Sequence, residues 1–415
     1  MAFITDMTEK AQRGIRNLET PTFDNKPWVV GPSMSERKVT MISSAGLHLR
    51  SDQRFIGMDS SYRAIPSSAD PSDVLMGHVS TNFDRTGFIQ DINVAYPIEL
   101  LRSLVDEGFI GSMADAHYSF MGGAYPMDME DHARALAAKL REEGVDTALF
   151  VPTCPHCTRA VSVLAHFLEE EGIATTVVGL LRELIERAAP PRAIWVPFEM
   201  GRPLGNPFDR DTQMSVMKAA LGLLDRQDGP GIIEDFDGDI SKKTSDWKPA
   251  VVTSRTDAPA SDIDAFRVAL AAELETVAPH RAAALQRLGR SSFGNSALLI
   301  EKINELLLSY LAEAPIENPN EDFSPLLTLR FAMDDIKTFY FEAAVSETSS
   351  PQSVPMEDWF WKHTVAGQLL IELRDLGLRG SDPKFERVST NFTMPHKYVV
   401  ELNLRSVDNA PLPGK

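Results

Sequence analysis

The sequence predicts an α/β fold followed by an all-α domain, and two observations support this prediction. Between about residues 145 and 198, short apolar runs alternate with amphipathic segments that end at glycine, as in parallel strands joined by helices. Beyond about residue 255, apolar residues recur with helical period and strand signals are few. We therefore expect a parallel-sheet, Rossmann-like layered domain with an additional helical domain at the C-terminus.

The elements before residue 145 are less regular. Residues 1–36 are polar and interrupted by prolines, so they predict an N-terminal arm. The apolar run at 39–46 predicts a buried strand, and the loop after it carries His48. Residues 50–89 have few periodic apolar positions and predict a long loop. Residues 98–108 have helical spacing and a terminal glycine, so they predict a helix.

The following segments alternate more clearly. The predicted helices are 133–144, 158–172, 181–192 and a last one near 213–224. The predicted strands between them are 145–153, 173–180 and 193–198. Because each strand follows a helix, the connections are those of a parallel sheet with crossover helices.

Composition sets the predicted domain boundaries. Glycine and aspartate become frequent after about residue 226, which is typical of a linker. The predicted divisions are an arm over 1–36, an α/β catalytic domain over 37–230, a linker over 231–254 and a helical domain over 255–415.

Charge and hydropathy exclude several classes of partner. The chain has 41 Lys and Arg against 59 Asp and Glu, a formal charge of −18, so neither nucleic acid nor an anionic membrane surface is an expected partner. No apolar run approaches the ~18 residues of a membrane helix. The N-terminus lacks the apolar region of a signal peptide. We expect a cytoplasmic homo-oligomer that acts on a small molecule.

The two cysteines of the chain, Cys154 and Cys157, lie at a predicted strand-to-helix junction. A helix N-terminus lowers the pKa of a thiol, and His156 adds positive charge beside the sulfur when it is protonated. Cys157 is one turn further on and can attack an adduct on Cys154 to form a disulfide. The spacing therefore predicts Cys154 as a nucleophile and Cys157 as its resolving thiol.

Other interpretations of the pair stay open. The thiols could form part of a copper or zinc site, which with no further cysteine would need histidines such as His78 and His117. They could belong to a general thiol–disulfide oxidoreductase, because CPHC also follows a strand in oxidising thioredoxin-fold enzymes. They could also simply fill space in the core.

Several separated motifs occur in order along the chain. They are His78-Val79-Ser80, NFDRTG (82–87), QDINVAYPIELLRSLVDEGFIGS (90–112), ADAHYSFMG (114–122), EEGVDTALFVPTCPHC (142–157) and RPLGNP (202–207). Together they make about residues 36–230 resemble the glycine/sarcosine/betaine reductase component B and D-proline reductase family. In its selenoprotein members, selenocysteine matches Cys154 and a cysteine matches Cys157.

This resemblance implies reductive cleavage of a carbon–nitrogen bond next to a carboxylate. The chalcogen anion attacks the α-carbon, the amine leaves and the second thiol resolves the adduct. An external dithiol or a thioredoxin-type protein would then reset the disulfide. The pyruvoyl group that activates the amine in these reductases belongs to a separate subunit, so an activating partner subunit is also expected. Here sulfur replaces selenium, and the helical domain has no counterpart.

Polar residues in these motifs are candidates for the rest of the site. His78 and His117 are candidate general acids for the leaving group, or else hydrogen-bonding histidines. The candidates for substrate binding are Asp84, Arg85, His48 and Tyr118. Arg85 offers a guanidinium to a substrate carboxylate, with an internal salt bridge as the alternative. His48 follows the first strand and is expected at the carboxyl ends of the strands.

Overall fold

A computed structural model describes residue 4 and residues 7–238 and 246–406. The chain divides into two compact units. Unit 1 holds the described residues up to Val79 and from Asp91 to residue 238, and unit 2 holds Ser80–Gln90 and the described residues from 246 onward. Parts of three predicted segments lie outside the described residues. These parts are residues 1–3, 5 and 6 of the arm, 239–245 of the linker and 407–415 of the helical domain.

Unit 1 contains the strands. They are β1 (Lys38–Ser43), β2 (Leu47–Leu49), β3 (Tyr62–Pro66), β4 (Val74–Met76), β5 (Ser112–Met113), β6 (Ala116–Phe120), β7 (Thr147–Val151), β8 (Ala174–Gly179), β9 (Arg192–Trp195) and β10 (Ile232–Asp235). Among the described residues, eight of them form one sheet in the order β10-β9-β8-β7-β1-β6-β3, with β5 also paired to β1. The pairs are parallel except β3 with β6. β2 and β4 form a separate antiparallel pair.

The central strands explain why the sheet is parallel. β7 and β8 are buried along their whole length, and β1 is buried after its first residue. Continuous apolar runs such as TALFV in β7 are typical of parallel strands that are covered on both faces. The register pairs Val39 with Thr147 and Ser43 with Val151. The carboxyl ends of β1 and β7 therefore lie side by side.

The helices alternate with these strands and then dominate the rest of the chain. They are α1 (Glu9–Arg16), α2 (Thr86–Gln90), α3 (Ile98–Asp106), α4 (Glu130–Glu142), α5 (Pro155–Glu170), α6 (Arg182–Ala188), α7 (Arg210–Gly222), α8 (Ile263–Leu288), α9 (Ile300–Leu311), α10 (Pro325–Ala344), α11 (Val354–His363), α12 (Val365–Arg379), α13 (Pro383–Asn391) and α14 (His396–Glu401). Short 3₁₀ helices span Met34–Glu36, Pro71–Asp73, Ile92–Val94, Pro126–Met129 and Leu223–Asp225. The predicted α/β fold with an additional helical region is confirmed.

The structure corrects several local predictions in unit 1. Residues 50–89 are not one loop, because they contain β3 and β4; β3 is only partly buried and so lacks an apolar run in the sequence. His48 lies on β2, where a loop was expected, and His117 lies on β6. Ile232–Asp235, assigned to the linker, form β10, which pairs with β9.

Unit 2 is helical and has its own apolar core. The core includes Phe266 of α8, Met333 of α10 and Trp361 of α11. Ser80–Gln90, which the sequence places in the α/β domain, belongs to this unit. There the guanidinium of Arg290 donates to the Phe88 carbonyl oxygen at 2.6 Å. No helix among the described residues combines the length and the apolar character that crossing a membrane requires.

Candidate functional site

The cysteine pair lies where β7 passes into α5. Cys154 is the N-cap of α5, and its Sγ accepts a hydrogen bond from the backbone N–H of Cys157 at 3.2 Å. Pro155 occupies the first turn, where a helix needs no N–H from that position. The local sequence therefore fixes one sulfur at the helix N-terminus and the other one turn along, as the spacing predicts.

The sheet topology places this junction at a switch point. From β1 the chain first builds β6 on one side, and then crosses to β7 on the other side. In α/β sheets, ligands bind in the crevice beyond the carboxyl ends of the strands at such a point. Ser44 follows β1, Gly122 follows β6 after one intervening residue, and Thr153 follows β7 in the same way. The segments that surround the cysteines thus come from three neighbouring strands.

Gly122 has no side chain, and the sulfur of Cys157 occupies the space that a side chain at this position would fill. A Cβ at this position would lie 2.6 Å from Cys157 Sγ and 2.8 Å from the carbonyl oxygen of Ser44. Both distances are shorter than van der Waals contact allows, so any side chain here would displace the sulfur or the backbone. The sequence alone does not single out Ser44 or Gly122 for this site, although both positions closely follow strands.

The sulfur atoms form a close group with His78. Both cysteines are free and fully buried, and their Sγ atoms are 2.8 Å apart with Cys154 as the donor. The Nε2 atom of His78 lies 3.3 Å from Cys157 Sγ and 3.8 Å from Cys154 Sγ. We call His78, Cys154 and Cys157 the dithiol site.

The two thiols share their protons unequally. Burial and the hydrogen bond to Cys157 raise the pKa of Cys154. Burial also disfavours a charge on Cys157, but the hydrogen bond from Cys154 and the nearby His78 lower its pKa below the ordinary value. These contacts favour the thiolate on Cys157, whereas the helix N-terminus alone predicts it on Cys154.

The site also accommodates the opposite arrangement. Cys157 Sγ lies 3.3 Å from the carbonyl oxygen of Ser44, so a protonated Cys157 donates a hydrogen bond there. Cys154 Sγ already accepts the backbone N–H of Cys157, which stabilises a thiolate at Cys154. One proton moving over 2.8 Å therefore converts one arrangement into the other.

His156 does not supply the positive charge that the sequence predicts. Burial, together with the positive charge of Arg159, lowers the pKa of His156 to about 4. Its imidazole is therefore neutral at pH 7. Arg159 is buried one turn further along α5 and donates to the carbonyl oxygens of Glu19 and Ala124.

The other predicted residues of unit 1 have structural contacts. His117 Nδ1 accepts the backbone N–H of Met41 at 3.1 Å, and burial lowers the pKa of His117 to about 3. The ring of Tyr118 packs edge-on against Tyr62 with centroids 5.4 Å apart. His48 Nδ1 lies 2.9 Å from the Leu49 carbonyl oxygen. A neutral His117 is not a proton donor of the kind expected at neutral pH.

Asp84 and Arg85 form hydrogen bonds and a salt bridge with other residues of unit 2. Asp84 accepts the backbone N–H groups of Thr86 and Gly87 at 2.7 and 3.1 Å, so it begins α2. Arg85 pairs with Asp334 at 3.3 Å, which is the internal salt bridge left open as the alternative to a substrate contact.

The dithiol site also has the composition of a soft-metal site. Among the described residues, His78 Nε2 or Nδ1 and the two sulfur atoms form a group whose ligand atoms lie within 4.8 Å of one another. Thiolate and imidazole ligands suit Cu(I) and Zn²⁺. His117, expected as a fourth ligand, is not in this group.

Comparison with known proteins finds reductase subunits. The chain is 30% identical over 198 residues to the gamma subunit of D-proline reductase from Acetoanaerobium sticklandii, covering 47% of this chain and 81% of that subunit. It is 25% identical over 228 residues to glycine reductase complex component B subunit gamma from Symbiobacterium thermophilum, covering 52% of each chain. It is 29% identical over 235 residues to sarcosine reductase complex component B subunit beta from Peptoclostridium acidaminophilum, covering 50% of this chain and 51% of that subunit.

The chain thus spans about half the length of the glycine and sarcosine reductase relatives. No protein-family model matches it. No solved structure matches it either.

Proposed function

Because the chain belongs to the family of D-proline reductase and glycine, sarcosine and betaine reductase component B subunits, we propose that it is a cysteine-dependent reductase. Its reaction would break a carbon–heteroatom bond, in the first place carbon–nitrogen, in a small carboxylate- or amine-containing substrate. The observation that carries the proposal is the pair of free thiols 2.8 Å apart at the carboxyl ends of parallel strands.

The first proposed step makes and uses the nucleophile. The proton of Cys154 moves to Cys157, whose S–H then donates to the Ser44 carbonyl oxygen. The Cys154 thiolate attacks the substrate carbon, a C–S bond forms and the C–N bond breaks with its electron pair leaving on nitrogen. The amine takes the proton of Cys157 as it departs.

The second proposed step releases the product. The Cys157 thiolate attacks Cys154 Sγ, the S–S bond forms, and the C–S electron pair passes to carbon, which takes a proton. In total, one thiol, one thiolate, one further proton and one substrate ammonium give one disulfide, one C–H product and one free ammonium ion. The carbon is reduced by two electrons and the sulfur pair is oxidised by two, so an external dithiol or thioredoxin-type protein must reset the enzyme.

His78 is the proposed proton relay of this sequence. Its Nε2 atom lies within 3.8 Å of both sulfurs, and the imidazole can hand a proton to the leaving group or to the product carbon. The relatives are named as subunits, and we propose that this chain likewise works with an activating partner subunit.

An adduct-trapping experiment tests the proposed function. In Cys157→Ser the second step is blocked, so we expect a substrate-dependent mass increase that maps to Cys154. The matched control is Cys154→Ser, which should form no adduct. The panel contains amino acids, betaines and cyclic amines, each with and without lysate of the native organism to supply a partner subunit. If no member of the panel labels Cys154 under either condition, or if the control is labelled equally, the proposal is wrong.

A second candidate function is metal binding, which the group of His78, Cys154 and Cys157 favours. The protein purified without added metal would then retain about one equivalent of zinc or copper after dialysis, measured by elemental analysis. His78→Gln should lose the metal, whereas His117→Gln, outside the group, should keep it. Metal-free protein that still forms the Cys154 adduct would exclude this candidate.

A further inference from the structure

Ser44 has a buried hydroxyl that forms no hydrogen bond with any residue in the described part of the chain. The backbone groups of Ser44 are both paired. Its N–H donates to the Val151 carbonyl oxygen at 3.2 Å, and its carbonyl oxygen accepts the N–H of Gly122 at 3.0 Å. The hydroxyl is therefore the group of Ser44 that can bind a further molecule.

A buried hydroxyl of this kind destabilises the folded chain. It loses its hydrogen bonds to water on folding and gains none within the protein. Most buried polar groups in proteins are paired, and an exception calls for an explanation, of which a functional site is one. An alanine at this position would fill nearly the same space without the unpaired hydroxyl. A binding role explains why the chain has a serine here.

The Ser44 side chain lies beside the dithiol site. A Cβ on Gly122 would lie 2.6 Å from Cys157 Sγ and 2.9 Å from Ser44 Cβ, so this sulfur and the serine side chain are close neighbours. Cys154 Sγ is 2.8 Å from Cys157 Sγ. A small molecule that reacts at Cys154 therefore comes within reach of the Ser44 hydroxyl.

The proposed reaction lacks a binding group for the substrate carboxylate. The carbon that Cys154 attacks carries two polar groups, the leaving nitrogen and the carboxylate. His78 is the proposed proton relay for the nitrogen, since its Nε2 lies within 3.8 Å of both sulfurs. Arg85, which the sequence predicts for the carboxylate, pairs with Asp334 in unit 2. The carboxylate therefore needs another hydrogen-bond donor near the sulfurs.

We propose that the Ser44 hydroxyl donates a hydrogen bond to the substrate carboxylate while Cys154 attacks the neighbouring carbon. This inference rests on the proposed function, because it takes Cys154 as the nucleophile. A hydrogen bond to an ionised group is roughly twice as strong as one to a neutral group. Ser44 therefore favours substrates whose reacting carbon bears a carboxylate over those in which it bears an amide.

Alkylation by iodoacetate and by iodoacetamide tests this role without the native substrate. In both reagents the thiolate forms a C–S bond at the carbon next to the carboxylate or the amide, and iodide leaves with the C–I electron pair. In the full-length Cys157→Ser protein, Cys154 is the remaining cysteine, so mass spectrometry follows its alkylation rate. Because both reagents attack the same thiolate, the ratio of the two rates does not depend on the pKa of Cys154.

We expect the ratio of the iodoacetate rate to the iodoacetamide rate to be higher for this protein than for 2-mercaptoethanol. Adding Ser44→Ala should lower the ratio about fivefold or more, because the hydrogen bond to the carboxylate is lost. The same change should leave the midpoint of thermal unfolding unchanged or raise it, since it removes an unpaired buried hydroxyl. A lower midpoint would show that the hydroxyl stabilises the fold, which contradicts the proposal.

Ser389→Ala is the matched control. Ser389 of α13 is also fully buried, and its hydroxyl likewise has no partner among the described residues. Its variant should keep the ratio of the Cys157→Ser protein. The proposal fails if neither reagent labels Cys154, if the ratio is no higher than for 2-mercaptoethanol, or if the two serine variants give the same ratio.

These outcomes can be separated from a failure of the proposed function. Iodide leaves without a partner subunit and without a proton from the site, so alkylation does not require that the protein cleave a C–N bond. A ratio that depends on Ser44, together with no adduct from any amine, would support the carboxylate site and reject the proposed reductase reaction. An amine adduct on Cys154 with a ratio that does not depend on Ser44 would support the reaction and reject the role of Ser44.

Discussion

The dithiol site of unit 1 and an ion cluster of unit 2 hold charge in different ways. The ion cluster consists of Asp334 with Arg85, Arg330 and Lys337, and we call it the Asp334 cluster. In the dithiol site, two sulfurs 2.8 Å apart can exchange one proton, so the negative charge can move between them. In the Asp334 cluster, Arg85, Arg330 and Lys337 surround one carboxylate at 2.9 to 3.3 Å. A site whose charge moves suits bond-making chemistry, and a site with fixed charge suits binding.

The largest loss of stability is expected when the negative charge of Asp334 is removed. Asp334→Asn leaves three buried or half-buried cations without their carboxylate, and such a loss costs about 3–5 kcal/mol of unfolding free energy. Denaturant unfolding followed by tryptophan fluorescence measures it. The control is Asp264→Asn, since Asp264 is 98% exposed and 4.0 Å from Arg267, and should change stability by less than about 1 kcal/mol. Equal losses in both variants would contradict a role for the cluster.

The carboxylate of Asp334 also makes the stability of the protein depend on pH. Burial alone would raise the pKa of Asp334, but Arg85, Lys337 and Arg330 lower it well below its ordinary value. A lowered folded pKa means that the stabilisation is present above the unfolded pKa of about 3.9 and is lost as the pH falls below it. The stability difference between the native protein and Asp334→Asn should therefore shrink in acid.

A smaller loss of stability is expected when a side chain is added next to the dithiol site. Gly122→Ala places a Cβ 2.6 Å from Cys157 Sγ, and overpacking of this kind costs about 1–3 kcal/mol. We also expect slower oxidation of the pair to a disulfide by diamide, because the sulfur is displaced. Gly222→Ala is the control, since nothing lies within 4 Å of a Cβ at that helical position. If Gly122→Ala has the same stability and the same oxidation rate as the native protein, the absence of a side chain at Gly122 is not required for the packing of the dithiol site.

The two sites also differ in how far the sequence predicts them. Cys154 and Cys157 are local neighbours after an apolar strand, so spacing alone places them on one helix turn, and the structure agrees. The strands β1, β7 and β8 are equally predictable because they are continuous apolar runs. His78 was a candidate beforehand, but its proximity to the sulfurs depends on the fold.

The Asp334 cluster has no local signal. Arg85 is separated from Arg330, Asp334 and Lys337 by more than 240 positions, and only the folding of Ser80–Gln90 into unit 2 brings them together. Gly122 illustrates the same limit in unit 1, because its importance comes from the sulfur and backbone atoms of two other segments. The wrong expectation for His156 has a related cause, since burial and Arg159, not its position in CPHC, set its pKa.

The smallest expected effect is a shift in the pH at which the first thiolate of the pair forms. A titration of the thiols by their absorbance near 240 nm measures this shift and tests whether the negative charge can move between the two sulfurs. In the native protein the first thiolate should form below the ordinary pKa of a thiol, because Cys157 accepts a hydrogen bond from Cys154 and faces His78. Cys157→Ser leaves Cys154, whose pKa burial raises, so the first midpoint should move upward. Cys154→Ser keeps a hydroxyl donor beside Cys157 and should move the midpoint less.

His156→Gln is the control for this titration. With a pKa of about 4, His156 is neutral throughout the range in which the thiols titrate, so its removal should leave the first midpoint unchanged. An upward shift in Cys154→Ser larger than that in Cys157→Ser would place the resting thiolate on Cys154. The helix N-terminus would then outweigh the hydrogen bond between the sulfurs, and the first step of the proposed reaction would need no proton transfer to Cys157.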